Sequence, residues 1–190
     1  MGLKLKDIYY FEPRFVEKSE IKVVGVADLF VNNIGINTKK RVPDLNDILV
    51  SKTVSGAIRN VVDEYVTIGL QNDHFWPSFI QNPPVFYHMA SYEVSDFHDV
   101  PEDSVAMVIP ASKYAVFSCE SSFDPNTKKP LKQVDWDPLF GHYYGKWRLD
   151  QGVREKGYYL EISYYWRECI PGMPNGGYPI YKFELWVAIE

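Results

Sequence analysis

A single carboxylate lies within an aromatic run in the last third of the sequence. Glu161 is the only charged residue between Tyr158 and Trp166, and it follows Trp147 by 14 residues. An ionised carboxylate removed from water loses roughly several kcal/mol of solvation unless it is paired, hydrogen-bonded or protonated. A cationic ligand held among aromatic rings is one partner that meets this requirement.

Strand alternation decides which side chains accompany this carboxylate. Successive side chains of a strand point to opposite faces of the sheet, so Glu161 shares the more polar face with Tyr159, Ser163 and Tyr165. The alternative is an ordinary solvent-facing carboxylate, because glutamate is rarely buried. A competing carboxylate, Glu184, shares its own strand face with Lys182 and Trp186.

The hydrophobic period predicts the elements of the first half. Residues 21–30, 85–95 and 104–109 are rich in β-branched and aromatic residues and predict strands. Between residues 44 and 68 apolar residues recur at three- and four-residue steps, with Pro43 before them and Gly69 after them. This pattern predicts one or two amphipathic helices, and residues 72–79 add a short helix that Pro77 limits.

The same order begins again after Pro110. Residues 113–120 predict a strand, residues 135–151 a helix, and residues 158–167 and 178–189 two more strands. Residues 171–177 have hairpin chemistry, because Asn and Gly tolerate positive φ. The sequence therefore predicts an α+β fold of two β-α-β-β halves, within a single domain of residues 1–190.

Several segments resemble the GyrI-like small-molecule-binding family, which includes the effector-binding domains of AraC-type and MerR-type multidrug-responsive regulators. Residues 109–117 are similar to its iPaGkYavf motif, and the interval from Trp147 to Glu161 is similar to that between its helix-end tryptophan and its strand glutamate. Residues 14–26, 85–94 and 100–103 are similar to its opening strand, its fyYlaGvEV strand and its lPegm turn. The resemblance covers about residues 14–189.

This resemblance implies both a fold and a site. The fold is an antiparallel sheet with the helices on one side and a ligand groove between the halves. The ligand is a lipophilic cationic or amphipathic small molecule that Glu161 neutralises. Trp147 either lines the pocket or closes the core, and the weaker candidates are equally suited to packing. The implied ligand-binding residues are Glu161, Trp147, Tyr159, Tyr114, Phe117, His88, Phe86 and Tyr144.

Some positions depart from the family's pattern. Ser91 and Ser112 stand where the family has glycine, and His88 stands where it usually has tyrosine. Residues 39–71 are also longer than the family's first helix region. We therefore expect a pocket shaped differently from that of better-known members.

Composition limits the kinds of partner. A chain of 190 residues with 46% hydrophobic and 24% charged residues favours one folded domain. An aromatic share of 16% suits a ligand cavity or half-buried strands. A net charge of -5 without a strong basic cluster argues against direct binding of nucleic acid.

The N-terminal residues and the hydropathy of the chain predict its domain organisation and its location. Only about a dozen residues precede the resemblance, so we interpret the chain as a stand-alone domain without an attached helix-turn-helix. No apolar stretch of about 18 residues occurs, which argues against a membrane partner. A cytoplasmic location is the default expectation.

Residue spacings typical of catalytic and metal sites do not occur. The histidines are scattered, and Cys119 and Cys169 form neither a CxxC motif nor a disulfide framework. Glycine-rich phosphate loops and a G-x-S-x-G elbow do not occur. We therefore predict no cofactor, no metal ion and no catalytic residue.

Two other classes of function stay open. Some GyrI-like proteins are hydrolases of strained or electrophilic compounds, and a carboxylate in an apolar groove suits a general acid or base. A protein-interaction module is the other alternative, since the family name refers to gyrase inhibition. The sequence identifies no protein partner.

Overall fold

The computed structural model of the protein describes residues 7–31, 42–72, 85–130, 132–147, 155–166 and 180–190. These residues form an antiparallel sheet and two α-helices, the second of which continues into a π-helical turn, Tyr143–Trp147. The elements in chain order are β1 (Ile8–Lys18), β2 (Ile21–Val31), α1 (Val42–Val54), β3 (Val66–Asn72), β4 (Val85–Glu93), β5 (Val105–Ile109), β6 (Ser112–Glu120), α2 (Asp137–His142), β7 (Glu155–Tyr165) and β8 (Ile180–Ile189).

The sheet consists of two halves placed side by side. Its eight described strands follow the order β1-β6-β8-β7-β3-β4-β2-β5. One half contains β2, α1, β3 and β4, and the other contains β6, α2, β7 and β8, with β5 and β1 added at the two edges. The halves meet where β7 pairs with β3, a junction that we call the seam. The predicted α+β fold with two β-α-β-β halves is confirmed.

Two parts of the predicted element order are wrong. Residues 57–68 are not helical, because α1 ends at Val54 and β3 occupies Val66–Asn72. In β3, Val66, Ile68 and Leu70 alternate with smaller or polar residues, which is a strand period that the preceding apolar residues obscure. The opening strand is in fact two strands, β1 and β2, separated by Ser19 and Glu20. Most of the short helix predicted at residues 72–79, the hairpin at 171–177 and Cys169 lie outside the described residues.

Both helices cover the same face of the sheet. Leu45 and Leu49 of α1 pack with alternate residues of β2 and β4, including Ala90, whereas α2 packs with alternate residues of β6 and β8, including Leu185. Ala90 and Leu185 share a face because Gly69 and Glu161 lie between them in one cross-strand row. We call this side the helix face.

The sheet is strongly curved, and its other face, which we call the inner face, is the concave one. Two residues connect β1 to β2, and two connect β5 to β6. Such a connection spans at most about 11 Å, whereas β1 and β2 would lie about 29 Å apart in a flat sheet with a strand spacing of about 4.8 Å. The sheet must therefore curl, and it buries its own inner face, including Met89, Leu160 and Tyr114.

Candidate functional site

Glu161 lies on the helix face at the seam. It pairs with Gly69 of β3 on one side and with Leu185 of β8 on the other. Tyr159, two residues earlier and therefore on the same face, packs edge to face against Phe140 of α2 with a ring-centroid distance of 6.0 Å. The Glu161 side chain is half-buried in a row whose neighbours are otherwise apolar.

Gly69 leaves space that the side chains of Glu161 and His88 occupy. A Cβ at this position would lie 3.1 Å from Glu161 Cβ, 3.4 Å from Glu161 Oε2 and 3.3 Å from His88 Cε1. The carboxylate and the imidazole therefore converge over the Gly69 backbone. A side chain at residue 69 would crowd both groups.

A row of polar residues crosses four strands next to this point. Asp28 of β2 pairs with His88 of β4, His88 with Gln71 of β3, and Gln71 with Tyr159 of β7. Directly opposed residues of neighbouring strands share a face, and Val24 and Val26 of β2 pack against α1 on the helix face. The helix face thus carries a polar band, Asp28–His88–Gln71–Tyr159, with Glu161 in the adjoining row.

The imidazole of His88 is uncharged near neutral pH. Its residue is 2% exposed. Burial lowers its pKa from 6.5 to about 4, because the charged form loses its solvation. The histidine that replaces the family's tyrosine therefore contributes a neutral polar group beside Glu161.

An aromatic cluster borders the seam on the side of α2. Tyr144 donates a hydrogen bond to the Tyr159 hydroxyl at 3.1 Å. Trp147, which is 6% exposed, packs edge to face on Phe117 with a centroid distance of 5.2 Å. Trp147 and Phe117 both belong to the buried core between α2 and the sheet, so of the two roles predicted for Trp147 the structure favours closing the core.

Two sequence candidates lie on the inner face, away from Glu161. Tyr114 is fully buried there and packs against Trp186 with a centroid distance of 5.4 Å. Glu184, the competing carboxylate, is also on the inner face, because it alternates with Phe183 and Leu185 of the helix face. The structure therefore does not bring these residues together with Glu161.

The charge of Glu184 is satisfied within the protein. Its carboxylate pairs with Arg14 and Lys182 at 2.9 Å each and accepts hydrogen bonds from Tyr164 at 3.0 Å and Trp186 at 2.8 Å. Burial would raise the pKa of Glu184, but the Lys182 and Trp186 hydrogen bonds and the Lys182 and Arg14 charges together lower it. This carboxylate ties β1, β7 and β8 together.

Sequence reasoning missed three positions of this candidate site and named one residue whose side chain is not described. The missed positions are Gly69, Gln71 and Asp28. Asp28 follows Val24 and Val26 at two-residue steps, so the alternation of β2 was the signal that could have found it. Phe86 lies in β4, and its side chain is outside the part of the chain that the structure describes.

The described residues were also compared with the requirements of a metal site and of a membrane-spanning helix. Within the described ranges, no three His, Cys, Asp or Glu side chains form a group that could hold a metal ion. None of the described helices is long and apolar enough to cross a membrane.

The curled sheet with one helix on each half defines a GyrI-like fold. The chain belongs to the Cass2 family of integron-associated effector-binding proteins, whose family model matches residues 14–189. The resemblance to an effector-binding family is therefore confirmed over the residues that the motifs indicated. No curated protein matches the chain by sequence.

Solved structures with this fold share little sequence with the chain. The integron cassette protein VCH_CASS2 of Vibrio cholerae has a TM-score of 0.58 at 11% identity, with 97% of this chain and 99% of that chain covered. SAV2435 bound to tetraphenylphosphonium has a TM-score of 0.61 at 13% identity, with 94% of both chains covered. The C-terminal domain of EcmrR has a TM-score of 0.56 at 12% identity, with 96% and 98% covered. These likenesses concern the fold.

Proposed function

We propose that the protein binds a lipophilic cationic or amphipathic small molecule on the helix face at the seam, with Glu161 as the group that neutralises the ligand. The convergence of Glu161 and His88 over Gly69 carries this proposal, because it places a half-buried carboxylate beside a neutral imidazole where the two helix-covered halves meet. Membership of an effector-binding family supports it. The structure of SAV2435 with tetraphenylphosphonium adds support, since that ligand is a lipophilic cation held by a similar fold.

The binding free energy at the seam has separate contributions from apolar burial, from aromatic rings and from charge. Burial of the ligand's apolar body contributes roughly 25 cal/mol per Å². An aromatic ring face next to the cation adds about 0.5 to 2 kcal/mol, depending on desolvation. The charge-assisted contact with Glu161 is worth about 1.5 to 3 kcal/mol in a partly desolvated site.

Glu161→Gln tests the charge separately from the shape. The amide keeps the size and hydrogen-bonding ability of the side chain, so affinity for methyltriphenylphosphonium should fall about ten- to a hundredfold. Affinity for the neutral triphenylphosphine oxide should change little. Calorimetric titration of both compounds into both proteins measures the difference.

A matched control separates local from long-range electrostatics. Glu17 is exposed on β1, and Glu17→Gln removes the same charge far from the seam. This variant should bind both compounds as the parent protein does. Equal weakening of the cation and the neutral compound by Glu161→Gln would make Glu161 a structural residue, and no binding of either compound to the folded parent would refute the proposed function.

A further inference from the structure

We propose that a pocket between the end of α1 and the start of β3 is a second ligand site, which takes a small primary ammonium ion with an apolar group. The pocket has a volume of about 430 Å³, which lies within the range of small-molecule sites. We call it the α1 pocket, and its described lining residues are Thr53, Ile58, Val61, Val62, Asp63, Glu64 and Tyr65. This inference goes beyond the proposed function, because the described lining includes neither Gly69 nor Glu161.

Backbone conformation and hydrogen bonds fix the walls of the α1 pocket. Gly56, at a φ of 72°, follows α1 and reverses the chain, and Asn60, at a φ of 60°, precedes its return to the sheet. There the Val62 N–H group donates a hydrogen bond to the Glu93 carbonyl oxygen of β4 at 2.9 Å. Ile58 is buried in the core under α1. A pocket held in this way is preformed, so a ligand does not have to order its walls.

The α1 pocket carries negative charge. Asp63 and Glu64 are acidic, and none of the described lining residues is basic. The C-terminal end of α1, at Thr53, adds the partial negative charge of the helix dipole. Glu64 is the exposed residue of the two acidic ones, so its carboxylate is the group that a cation entering from solvent reaches first.

The basic residues next to the lining do not cancel this charge. Lys52 precedes Thr53 and Arg59 follows Ile58 in the sequence. Each forms an ion pair with a carboxylate of the segment between β4 and β5, Lys52 with Asp103 and Arg59 with Asp99, the latter at 3.3 Å. Each pair is neutral as a whole, so the acidic lining favours a cationic ligand over a neutral or anionic one.

The class of cation follows from the groups that line the pocket. Carboxylate and hydroxyl oxygens accept hydrogen bonds, and a primary ammonium ion offers three N–H donors, whereas a quaternary ammonium ion offers none. The apolar side of the lining, Ile58, Val61 and Val62, suits a small hydrocarbon group on the same molecule. The α1 pocket therefore differs in its preference from the seam, where we propose a lipophilic cation.

The α1 pocket is separate from the seam. Tyr65 immediately precedes β3, and Gly69 lies four residues later, or about 13 Å along an extended strand. A ligand with one small ring cannot contact Glu64 and Glu161 at the same time. The two sites can therefore be occupied and tested independently.

Two compounds of similar size and shape test the charge preference. 2-Phenylethylamine carries a primary ammonium group near neutral pH, and 2-phenylethanol is its neutral analogue. In ¹⁵N NMR titrations of the parent protein, we expect the amine to shift the amide signals of residues 61–65 and to bind more tightly than the alcohol. Prior saturation with methyltriphenylphosphonium should leave these shifts unchanged, because that cation is expected at the seam.

Two variants of exposed residues assign the binding to the α1 pocket. Val62 is 59% exposed, and Val62→Lys adds a cation to the lining, so the amine should bind about fivefold or more weakly. Glu64→Gln should weaken the amine about two- to fivefold and leave the alcohol unchanged. Ile8, on β1, is 51% exposed, so Ile8→Lys is the matched control for the added cation, and Glu17→Gln is the control for the lost carboxylate. Neither control should change amine binding.

The NMR spectra of the variants show whether each is folded, and the outcomes separate the two proposals. If the amine shifts residues near Gly69 and Glu161 instead, and Glu161→Gln removes those shifts, the amine binds at the seam and this inference is wrong while the proposed function stands. If the amine shifts no amide signal of the folded parent protein, or if Val62→Lys and Glu64→Gln bind it as the parent does, the inference also fails. The proposed function is decided by methyltriphenylphosphonium and does not depend on these results.

Discussion

Substitution of Gly69 by alanine tests the position of the site most directly. The added Cβ would lie 3.1 Å from Glu161 Cβ, 3.3 Å from His88 Cε1 and 3.4 Å from Glu161 Oε2. The distances to Glu161 Cβ and His88 Cε1 are shorter than most van der Waals contacts, so the Glu161 and His88 side chains must each move by a few tenths of an ångström. The methyl group also occupies the space over which the two groups converge.

The expected stability change is small because two effects oppose each other. Replacing glycine by alanine restricts the unfolded chain and stabilises the protein by about 0.4 to 1 kcal/mol. Crowding of a packed site costs about 1 to 3 kcal/mol. We therefore expect a folded variant that is destabilised by about 0 to 2.6 kcal/mol.

The expected affinity change is larger and differs between the two test compounds. A displaced carboxylate loses most of its charge-assisted contact, so methyltriphenylphosphonium should bind about tenfold or more weakly. The neutral triphenylphosphine oxide loses roughly one methylene equivalent of burial, about 0.8 kcal/mol or about fourfold. Glu161→Gln, in contrast, should weaken the cation alone.

Gly141→Ala is the matched control for this substitution. A Cβ at Gly141 in α2 would meet no atom within 4 Å, so the same chemical change is made in open space. This variant should bind both compounds normally. Calorimetric titration and urea unfolding give the readouts, and a folded Gly69→Ala variant with unchanged affinity for both compounds would show that ligands bind elsewhere.

Two further substitutions test the carboxylate of the inner face and the buried imidazole. Glu184→Gln leaves Arg14 and Lys182 facing a neutral amide, which should cost about 1 to 3 kcal/mol in urea unfolding while cation affinity stays unchanged; a tenfold loss of cation affinity would instead make Glu184 the charge sensor. The pKa of His88 is lowered from 6.5 to about 4, so on acidification the unfolded state takes up this proton at a higher pH than the folded state does. The free energy of unfolding should therefore fall by up to about 3 kcal/mol as the pH decreases from 6.5 to 4. His88→Gln should remove this contribution from the difference between the two pH profiles, and identical slopes for the two proteins would contradict the assignment.

The sequence predicted those parts of the fold that depend on a strong local period. β2, β4, β6 and β8 combine β-branched or aromatic residues with clear boundaries, and each lies close to its predicted range. The strand β3 was missed because the helical period of the preceding apolar residues was extended into its first residues, up to Ile68. Gly69 was interpreted as a helix end, although its role is to leave space beside Glu161.

The site was only partly predictable for a related reason. Glu161 can be recognised from the sequence alone, because a charged residue within an aromatic run is unusual. Gly69 and Asp28 join it only through the register of β7 on β3 and of β2 on β4, which links residues that are distant in the sequence. Tyr114 was predicted to bind the ligand with Glu161, and Glu184 was predicted as the competing carboxylate, but strand alternation puts both on the inner face.

The pairing of β1 with β6 has a consequence for how the chain reaches its folded state. Arg14 pairs with Val116, so the first strand to be synthesised meets its partner only after about 100 further residues have emerged. Such distant pairings close large loops at an entropic cost and are associated with slow folding. β1 must therefore stay unpaired until the whole first half and β6 have been made, and its Ile8, Tyr10 and Phe15 side chains are still exposed after it has paired.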